Sequence, residues 1–170
     1  MKLIEILNCD SCFGIGKKND LLFRLPKDME YFRKTTLNHV VALGENTLLS
    51  FPNSKPLKNR KNIVISANPA HNYENVVNVH TFDDFKNEIK KALEVDDVYI
   101  IGGASIYNAM LPYVDEVLLN KVKEDGGAEV FYTNLDEHPS FKLVEVKEEI
   151  EDNGHITQLH IYKNINKESL

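Results

Sequence analysis

Short apolar runs alternate with segments of helical character over roughly the first 120 residues of the chain. The runs that predict strands are residues 2–8, 39–43, 61–66, 75–80, 97–101 and 115–123. The segments between them predict helices at residues 26–35, 45–51, 81–93 and 104–111. Two longer predicted strands, residues 141–151 and 155–163, flank Asp152-Asn153-Gly154, a strong hairpin turn signal. The pattern predicts an α/β fold with a mostly parallel sheet and an antiparallel C-terminal hairpin.

Residues with strong local preferences fix several of these boundaries. Pro26 suits the first position of a helix, and Thr81 with an acid three residues later matches a capping box. Residues 9–24 contain Gly14, Gly16 and the Asn19-Asp20 turn signal, so they are predicted to form a loop. A loop of this length in a compact domain is typical of a lid or a binding loop.

The composition is that of an ordinary globular protein. The 170 residues are 42% hydrophobic and 27% charged, which predicts one domain over residues 1–170 and excludes a disordered chain or a coiled coil. No apolar run approaches the ~20 residues of a transmembrane helix. Glu5 interrupts the first apolar run, so we expect no export signal, no membrane partner and a cytoplasmic location.

Charge is unevenly distributed along the chain. The net charge is −6, but residues 17–61 hold ten bases and four acids, which gives +6 there and −12 elsewhere. A basic domain is expected of a general nucleic-acid binder, so we expect no nucleic-acid partner. The basic stretch fits either a pocket for an anionic small molecule or a solvated, lysine-rich surface.

Two cysteines, Cys9 and Cys12, form a Cys-x-x-Cys pair. Such a pair can be a redox dithiol or half of a zinc site. No second pair follows, and the residues after Cys12 indicate a loop, so we expect no metal site. The sequence predicts reduced thiols without a catalytic role.

Two predicted strands end at glycine and are followed by helices. Gly102-Gly103 follows residues 98–101, and Gly44 follows residues 40–43. Helix N-termini at the carboxyl ends of strands suit phosphate groups, so the pair indicates a dinucleotide site. Each motif alone is equally compatible with a tight turn that binds no ligand.

One carboxylate lies on an otherwise apolar helix face. Asp28 shares that face with Tyr31 and Phe32, at spacings of three and four residues. It could bind a ligand that offers paired N–H donors, such as an amino-pyrimidinone ring. It could equally be an exposed acid that stabilises the first helical turn, which is what periodicity alone favours.

Together these motifs resemble the dihydrofolate reductase family along nearly the whole chain. The resemblance rests on Leu-Pro-x-Asp-x-x-x-Phe at residues 25–32 combined with Ile-Gly-Gly-x-x-x-Tyr at residues 101–107, and on residues 14–16, 55–57 and 60–66. It implies an eight-stranded sheet flanked by four helices, and we expect a monomer. It also implies reduction of 7,8-dihydrofolate to tetrahydrofolate by hydride transfer from NADPH or NADH.

The resemblance implies residues for the substrate half of the site. Asp28 would hold the 2-amino and N3 edge of the pterin and promote protonation of N5, and Arg60 would bind the α-carboxylate of the folate tail. The implied catalytic residues are Asp28, Leu21, Phe23 and Asn120. The implied substrate-binding residues are Ile6, Leu7, Asp28, Met29, Phe32, Phe51, Leu57, Arg60, Ile101 and Tyr107.

The resemblance also implies a cofactor half and a mobile lid at residues 16–23 that excludes water from the reacting atoms. The two strand–glycine–helix turns would hold the dinucleotide, with the pyrophosphate on the Gly-Gly turn. The implied cofactor-binding residues are Asn8, Ile15, Gly16, Asn19, Gly44, Glu45, Asn46, Thr47, Ile65, Ser66, Ala67, Ile101, Gly102, Gly103, Ala104, Ser105, Ile106 and Tyr107.

This chain departs from the family pattern at several of these positions. Glu45-Asn46 replaces an arginine and a polar residue, and Ala67 and Ser105 add no positive charge, so we expect a preference for NADH. Leu7-Asn8 replaces a pair of small alanines, and Asn120 replaces the threonine that supports the catalytic acid. Residues 127–132 replace a Gly-Asp-Thr-x-Phe-Pro segment that contacts the lid.

Two other functions remain open from the sequence. The chain could be a binding protein of this fold with little or no turnover, which the changes at Leu7, Asn8, Asn120 and Ala128 favour. It could instead reduce another pterin or a pyrimidine of the riboflavin pathway. Arg60 argues against the second alternative, because those substrates lack the glutamate tail.

Overall fold

Helices separate most of the strands in about the first 120 residues of the protein. A computed structural model describes residues 1–18 and 20–170. The strands are β1 (Leu3–Cys9), β2 (Gly14–Gly16), β3 (Val40–Gly44), β4 (Lys61–Ile65), β5 (Val77–Val79), β6 (Val98–Ile100), β7 (Glu116–Val122), β8 (Val130–Phe131), β9 (Phe141–Val146), β10 (Ile150–Asp152) and β11 (His155–Asn164). The helices are α1 (Pro26–Thr36), α2 (Glu45–Ser50), α3 (Phe82–Ala92) and α4 (Ala104–Met110), with short 3-10 turns at Pro52–Ser54 and Leu111–Tyr113.

One large sheet forms the centre of the fold. Its order is β10-β11-β7-β1-β6-β3-β4-β5, and β9 pairs with the same free edge of β11 as β10 does. The sheet is therefore eight strands wide, with β9 and β10 sharing the last position. Neighbours from β7 to β5 pair in parallel, and β11 pairs antiparallel with β7, β9 and β10. The predicted fold class, with its antiparallel C-terminal edge, is confirmed.

Two features differ from the predicted elements. The segment predicted as one strand, residues 141–151, is divided into β9 and β10, which pair with different parts of β11 and are separated by residues 147–149. The segment predicted as a loop, residues 9–24, contains β2, which pairs with β8 in a separate two-stranded sheet. β2 has three residues and β8 has two, so neither strand shows an alternating pattern long enough to be recognised in the sequence.

The sheet separates two apolar clusters. The larger cluster lies between the sheet and helices α3 and α4, and it includes Phe85, Ile89 and Met110, all fully buried. Thr81 caps α3 as predicted, since its hydroxyl accepts the backbone N–H of Asp84 at 3.1 Å. The second cluster lies on the opposite face, where α1 and α2 pack.

Within the described part of the chain, neither cysteine belongs to a disulfide or to a cluster that could bind a metal. Both cysteines are free, with Cys9 in the core and Cys12 exposed. Burial raises the pKa of the Cys9 thiol to about 12, which keeps it protonated and unreactive. Among residues 1–18 and 20–170, no cluster of His, Cys, Asp or Glu could hold a metal ion. No helix in that same part is long and apolar enough to cross a membrane.

Candidate active site

Helix α1 carries the acid singled out from the sequence. The helix begins at Pro26, and Asp28 lies in its first turn, half-buried beside the sheet. The N-terminus of α1 is capped from a distant part of the chain: Asp152 of β10 accepts the backbone N–H groups of Lys27 at 3.1 Å and Asp28 at 3.0 Å. A carboxylate at a helix N-terminus satisfies free N–H groups and complements the helix dipole. The C-terminal hairpin therefore fixes the position of the acid.

Two asparagine side chains hold the carboxylate of Asp28. The amide of Asn8 donates to Oδ2 at 3.0 Å, and the amide of Asn120 donates to Oδ1 at 3.0 Å. Asn8 is the penultimate residue of β1, and Asn120 lies directly opposite on β7, as register partners in the parallel pair. Each oxygen of the carboxylate thus receives one amide from the carboxyl-terminal part of the central strands.

The surroundings of Asp28 affect its ionisation in opposite directions. Burial raises the pKa of its carboxyl above the ordinary value, and the negative charge of Asp152 acts in the same direction. The amides of Asn8 and Asn120 lower the pKa, because they stabilise the ionised form. Burial is the largest of these effects and the pKa is raised, so further N–H donors from a ligand would favour the ionised form in the same way as the two amides.

An apolar cluster packs against α1, the helix that carries Asp28. Five residues implied for substrate binding belong to the second apolar cluster: Ile6, Phe32, Phe51, Leu57 and Ile101. They come from β1, α1, the segment after α2 and the residue after β6, so residues far apart in the sequence form one cluster.

The arginine implied for the substrate tail lies at the other end of α1. Arg60 donates through Nε to Oγ1 of Thr36 at 3.1 Å, through Nη2 to the carbonyl of Arg33 at 3.1 Å and through Nη1 to the carbonyl of Lys58 at 2.7 Å. Three of its five N–H groups hold the guanidinium in place, and two remain for a ligand. Asp28 and Thr36 are eight residues apart, which is about 12 Å along the helix.

The two strand–glycine–helix turns meet at one edge of the sheet. The backbone N–H of Gly44 donates to the carbonyl of Gly102 at 2.8 Å, so the turns after β3 and β6 are in contact. Gly102 has a φ of +126°, and the Gly102–Gly103 peptide is cis. A Cβ on Gly102 would lie 3.2 Å from Oγ1 of Thr47, so a side chain there would crowd the turn.

Glu45 begins α2 beside these turns and has two side-chain partners. Its Oε2 accepts the hydroxyl of Tyr73 at 2.5 Å and lies 2.8 Å from Nδ1 of His71. The bond from Tyr73 is the main reason that the pKa of Glu45 is lowered. The carboxylate is therefore held ionised at the surface rather than extended freely into solvent.

Acidic residues hold the segment around β2, and the start of the segment predicted as a lid, against the body of the protein. Asp10 is buried, and its carboxylate accepts the backbone N–H groups of Cys12, Gly14 and Gly126 at 2.7–3.0 Å. Further along, Glu129 accepts the backbone N–H of Lys18 at 3.0 Å and donates its own backbone N–H to the carbonyl of Gly16 at 2.9 Å. The segment that departs from the family pattern thus still contacts the lid.

The similarity to known proteins decides the family. The sequence model described as dihydrofolate reductase matches residues 2–164. The chain belongs to this family. The dihydrofolate reductase of Bacillus subtilis (strain 168) is 31% identical over 142 residues, which are 81% of this chain and 79% of that protein. That of Staphylococcus haemolyticus is 30% identical over 169 residues, 97% of each.

A solved structure supports the fold. The dihydrofolate reductase of Enterococcus faecalis, complexed with NADP(H), has a TM-score of 0.83, 23% identity and 96% coverage of both chains. Dihydrofolate reductases are oxidoreductases that use a nicotinamide cofactor, and this function follows for the chain from its family. The matches do not favour the alternatives of a binding protein or a reductase of another substrate.

The other residues implied by the resemblance to dihydrofolate reductases differ in how far they are buried and in what they contact. Leu21 and Met29 are largely exposed, at 66% and 58%. Phe23 is buried in a small cluster with Leu25 and Val122, its ring 5.0 Å from that of His155. The main cluster contains or contacts Leu7, Ile15, Ile65, Ile106 and Tyr107, and the hydroxyl of Tyr107 donates to the carbonyl of Ile6 at 2.9 Å.

The remaining residues of the implied cofactor half surround the two turns. Ser66 is buried at the end of β4, whereas Asn46, Ala67 and Ser105 are exposed, and Gly16 and Ala104 are partly exposed. Asn19 lies outside the described residues.

Several residues that hold the candidate site and its loops in place have no predicted role in the sequence. They are Asp10, His71, Tyr73, Glu129 and Asp152. The sequence indicates Asp152 only as part of a turn, and the others lie in loops or at strand ends with no periodic pattern. The one signal available was the acid preference of helix N-termini, which does not say which distant acid supplies the cap.

Proposed function

We propose that Asp28 and Arg60 are the two polar anchors with which this member of the family binds 7,8-dihydrofolate for reduction to tetrahydrofolate. The observation that carries the proposal is their placement at opposite ends of α1, with an apolar surface beside the helix. An elongated substrate with an N–H-rich ring at one end and a carboxylate at the other matches this arrangement. Arg60 suits the carboxylate because a guanidinium fork binds it through two N–H groups.

Asp28 acts on the pterin ring in this proposal. Its carboxylate accepts the 2-amino and N3 hydrogens, which orients the ring and favours protonation at N5. The apolar residues around it exclude water and strengthen these bonds. Asn8 and Asn120 keep the carboxylate in the required orientation.

The turns after β3 and β6 fit the nicotinamide cofactor. Gly102 and Gly103 leave space that a Cβ at Gly102 would fill against Thr47, and Gly44 brings the second turn into contact. Gly102, Gly103, Ala104 and Ser105 would hold the pyrophosphate. When bound, the cofactor supplies a hydride to the carbon next to N5.

We further propose that the chain prefers NADH to NADPH. Glu45 is held ionised by Tyr73, at the position where the resemblance implies the adenosine ribose. A carboxylate accepts hydrogen bonds from ribose hydroxyls and repels a 2′-phosphate; like charges about 4 Å apart cost roughly 1 kcal/mol in water and more in a cleft. His71 lies against the same carboxylate and is the nearest partner that could offset the repulsion.

Turnover of dihydrofolate by Asp28→Asn tests the first proposal. We expect a loss of at least ~10²-fold in kcat at neutral pH with the fold retained, because the amide cannot accept two ring hydrogens. Asp83→Asn, which changes an acid in the first turn of α3, is the matched control and should leave turnover unchanged. Unchanged turnover in Asp28→Asn would exclude the proposed role. Binding of dihydrofolate without turnover in the wild type would support the binding-protein alternative.

Michaelis constants for both cofactors test the second proposal. We expect the wild type to favour NADH and Glu45→Arg to shift the preference toward NADPH. Glu94→Arg makes the same charge change at an exposed site after α3 and should shift neither constant. A tenfold preference of the wild type for NADPH, or no shift in Glu45→Arg, would contradict the proposal.

The cellular context and partners are proposed on the composition alone. We propose a cytoplasmic monomer whose partners are the small-molecule substrate and the cofactor, with no nucleic-acid or membrane partner. Sedimentation of the purified protein would test the oligomeric state.

A further inference from the structure

We propose that Asn8 is a positioning residue, which together with Asn120 forms an amide clamp that keeps the carboxylate of Asp28 ionised and oriented. The proposal rests on the proposed role of Asp28 in binding the pterin. The sequence marks Asn8 only as a departure from a small residue near the cofactor. The structure assigns it a contact with the acid instead.

The geometry of the clamp follows from the sheet. Asn8 and Asn120 are register partners on parallel strands β1 and β7, so their side chains leave the same face side by side. Each amide reaches a different oxygen of Asp28, both at 3.0 Å. A one-sided contact would let the carboxylate rotate about its terminal bond, whereas two contacts on different oxygens fix its plane.

The clamp leaves the carboxylate able to bind a ligand. Two carboxylate oxygens offer about four acceptor positions, and the amides use two of them. Two positions remain, which is the number that the 2-amino and N3 groups of a pterin require. A side chain at position 8 that offered a hydrogen-bond acceptor in place of a donor would form no bond with the ionised carboxylate and would repel it.

The clamp also opposes the effects that protonate Asp28. Burial and the charge of Asp152 on β10 both favour the neutral acid. The charge of Asp28 acts on Tyr31 of α1 and Tyr107 of α4, and burial raises the pKa of each hydroxyl, so they stay neutral. The amides are therefore the groups within the described site that favour the ionised form.

The test measures Asp28 directly in the ligand-free protein. The carboxyl carbon of Asp28 is followed by ¹³C NMR as a function of pH and assigned by its loss in Asp28→Asn. We expect Asn8→Ala to raise the titration midpoint by roughly 0.5 to 1 pH unit, a three- to tenfold change in proton affinity. Asn120→Ala should act in the same direction, and Asn120→Thr should shift less because its hydroxyl can still donate.

Controls separate positioning from a general structural effect. Ile89→Val removes a methyl group from the core below α3 and should lower stability without moving the Asp28 midpoint. Asn8→Ser keeps a donor and should restore part of the wild-type midpoint; it also serves if Asn8→Ala does not fold. The pH profile of kcat/KM for dihydrofolate should shift in the same direction as the midpoint.

Two outcomes would overturn the clamp: an unchanged or lowered midpoint in Asn8→Ala, or an equal shift in Ile89→Val. Failure of the proposed function is a separate result. It would appear as full turnover by Asp28→Asn, whatever the titration of the wild-type carboxyl shows.

Discussion

Replacing Asp152 should weaken the fold and change the ionisation of Asp28 at the same time. The side chain of Asp152 is buried, and its two oxygens accept the backbone N–H groups of Lys27 and Asp28. Asp152→Asn keeps one acceptor oxygen and removes the charge from the start of α1. Loss of a helix cap costs about 0.5–2 kcal/mol, and loss of a charge–dipole contact about 0.3–1 kcal/mol. We therefore expect a destabilisation of about 1–2 kcal/mol.

The same substitution should lower the pKa of Asp28. The charge of Asp152 raises that pKa in the wild type, so its removal shifts the carboxyl titration to lower pH. Urea unfolding measures the first effect, and the ¹³C titration of Asp28 measures the second. This direction is opposite to that expected for Asn8→Ala, so the two variants distinguish the cap from the clamp.

Thr81→Ala is the matched control for this prediction. Thr81 caps α3 through its hydroxyl and lies on a different helix from Asp28. It should cost about 1 kcal/mol of unfolding free energy and leave the Asp28 midpoint unchanged. A raised midpoint in Asp152→Asn, or unfolding free energy equal to that of the wild type, would refute the reasoning.

Two further predictions concern Arg60 and Glu5. Arg60→Leu should weaken dihydrofolate binding by about 1.5–3 kcal/mol and leave the cofactor Michaelis constant unchanged, and equal weakening for a pterin without the glutamate tail would contradict the assignment. Burial raises the pKa of Glu5 well above its ordinary 4.5, so its contribution to stability is present below that value and is lost as pH rises toward the folded-state pKa. Between pH 5 and pH 8, the free energy of unfolding of Glu5→Gln, measured by urea titration, should therefore fall less than that of the wild type. Equal falls in the two proteins would show that Glu5 is not responsible.

Local signals in the sequence were sufficient for most of the fold. Pro26, Thr81 and the glycines after β3 and β6 fix chain direction through backbone preferences that act within a few residues. The apolar strands are buried on both faces, so they stand out without an alternating pattern. The pairing of β2 with β8 could not be predicted in this way, because it depends on two short segments that are more than a hundred residues apart.

The sequence predicts the parts of the candidate site in which one charged residue stands in a recognisable motif. Asp28 and Arg60 each bring a charge to a recognisable motif, and the structure places them at the two ends of one helix. The partners of these residues were not predictable. Asp152 lies 124 residues from Asp28, and no property of its own segment indicates which helix it caps.

Two positions that depart from the family pattern are distant along the chain but adjacent in the fold. Asn8 and Asn120 are 112 residues apart, and each differs from the residue that the family pattern implies at its position. In the fold they are register partners on one carboxylate, so each amide is supported by the presence of the other.

A second altered position lies beside a residue that contacts the segment predicted as a lid. Ala128 stands where the family has an acid, and the neighbouring Glu129 accepts the backbone N–H of Lys18. A change that removes a polar group is thus accompanied by a nearby polar group that contacts the lid. If such pairs act together, the effect of reverting one member depends on the other, because residues that share a partner are not additive. Asn8→Ala and Asn120→Thr should therefore be measured singly and together, and the interaction energy between them reports how far the clamp acts as a unit.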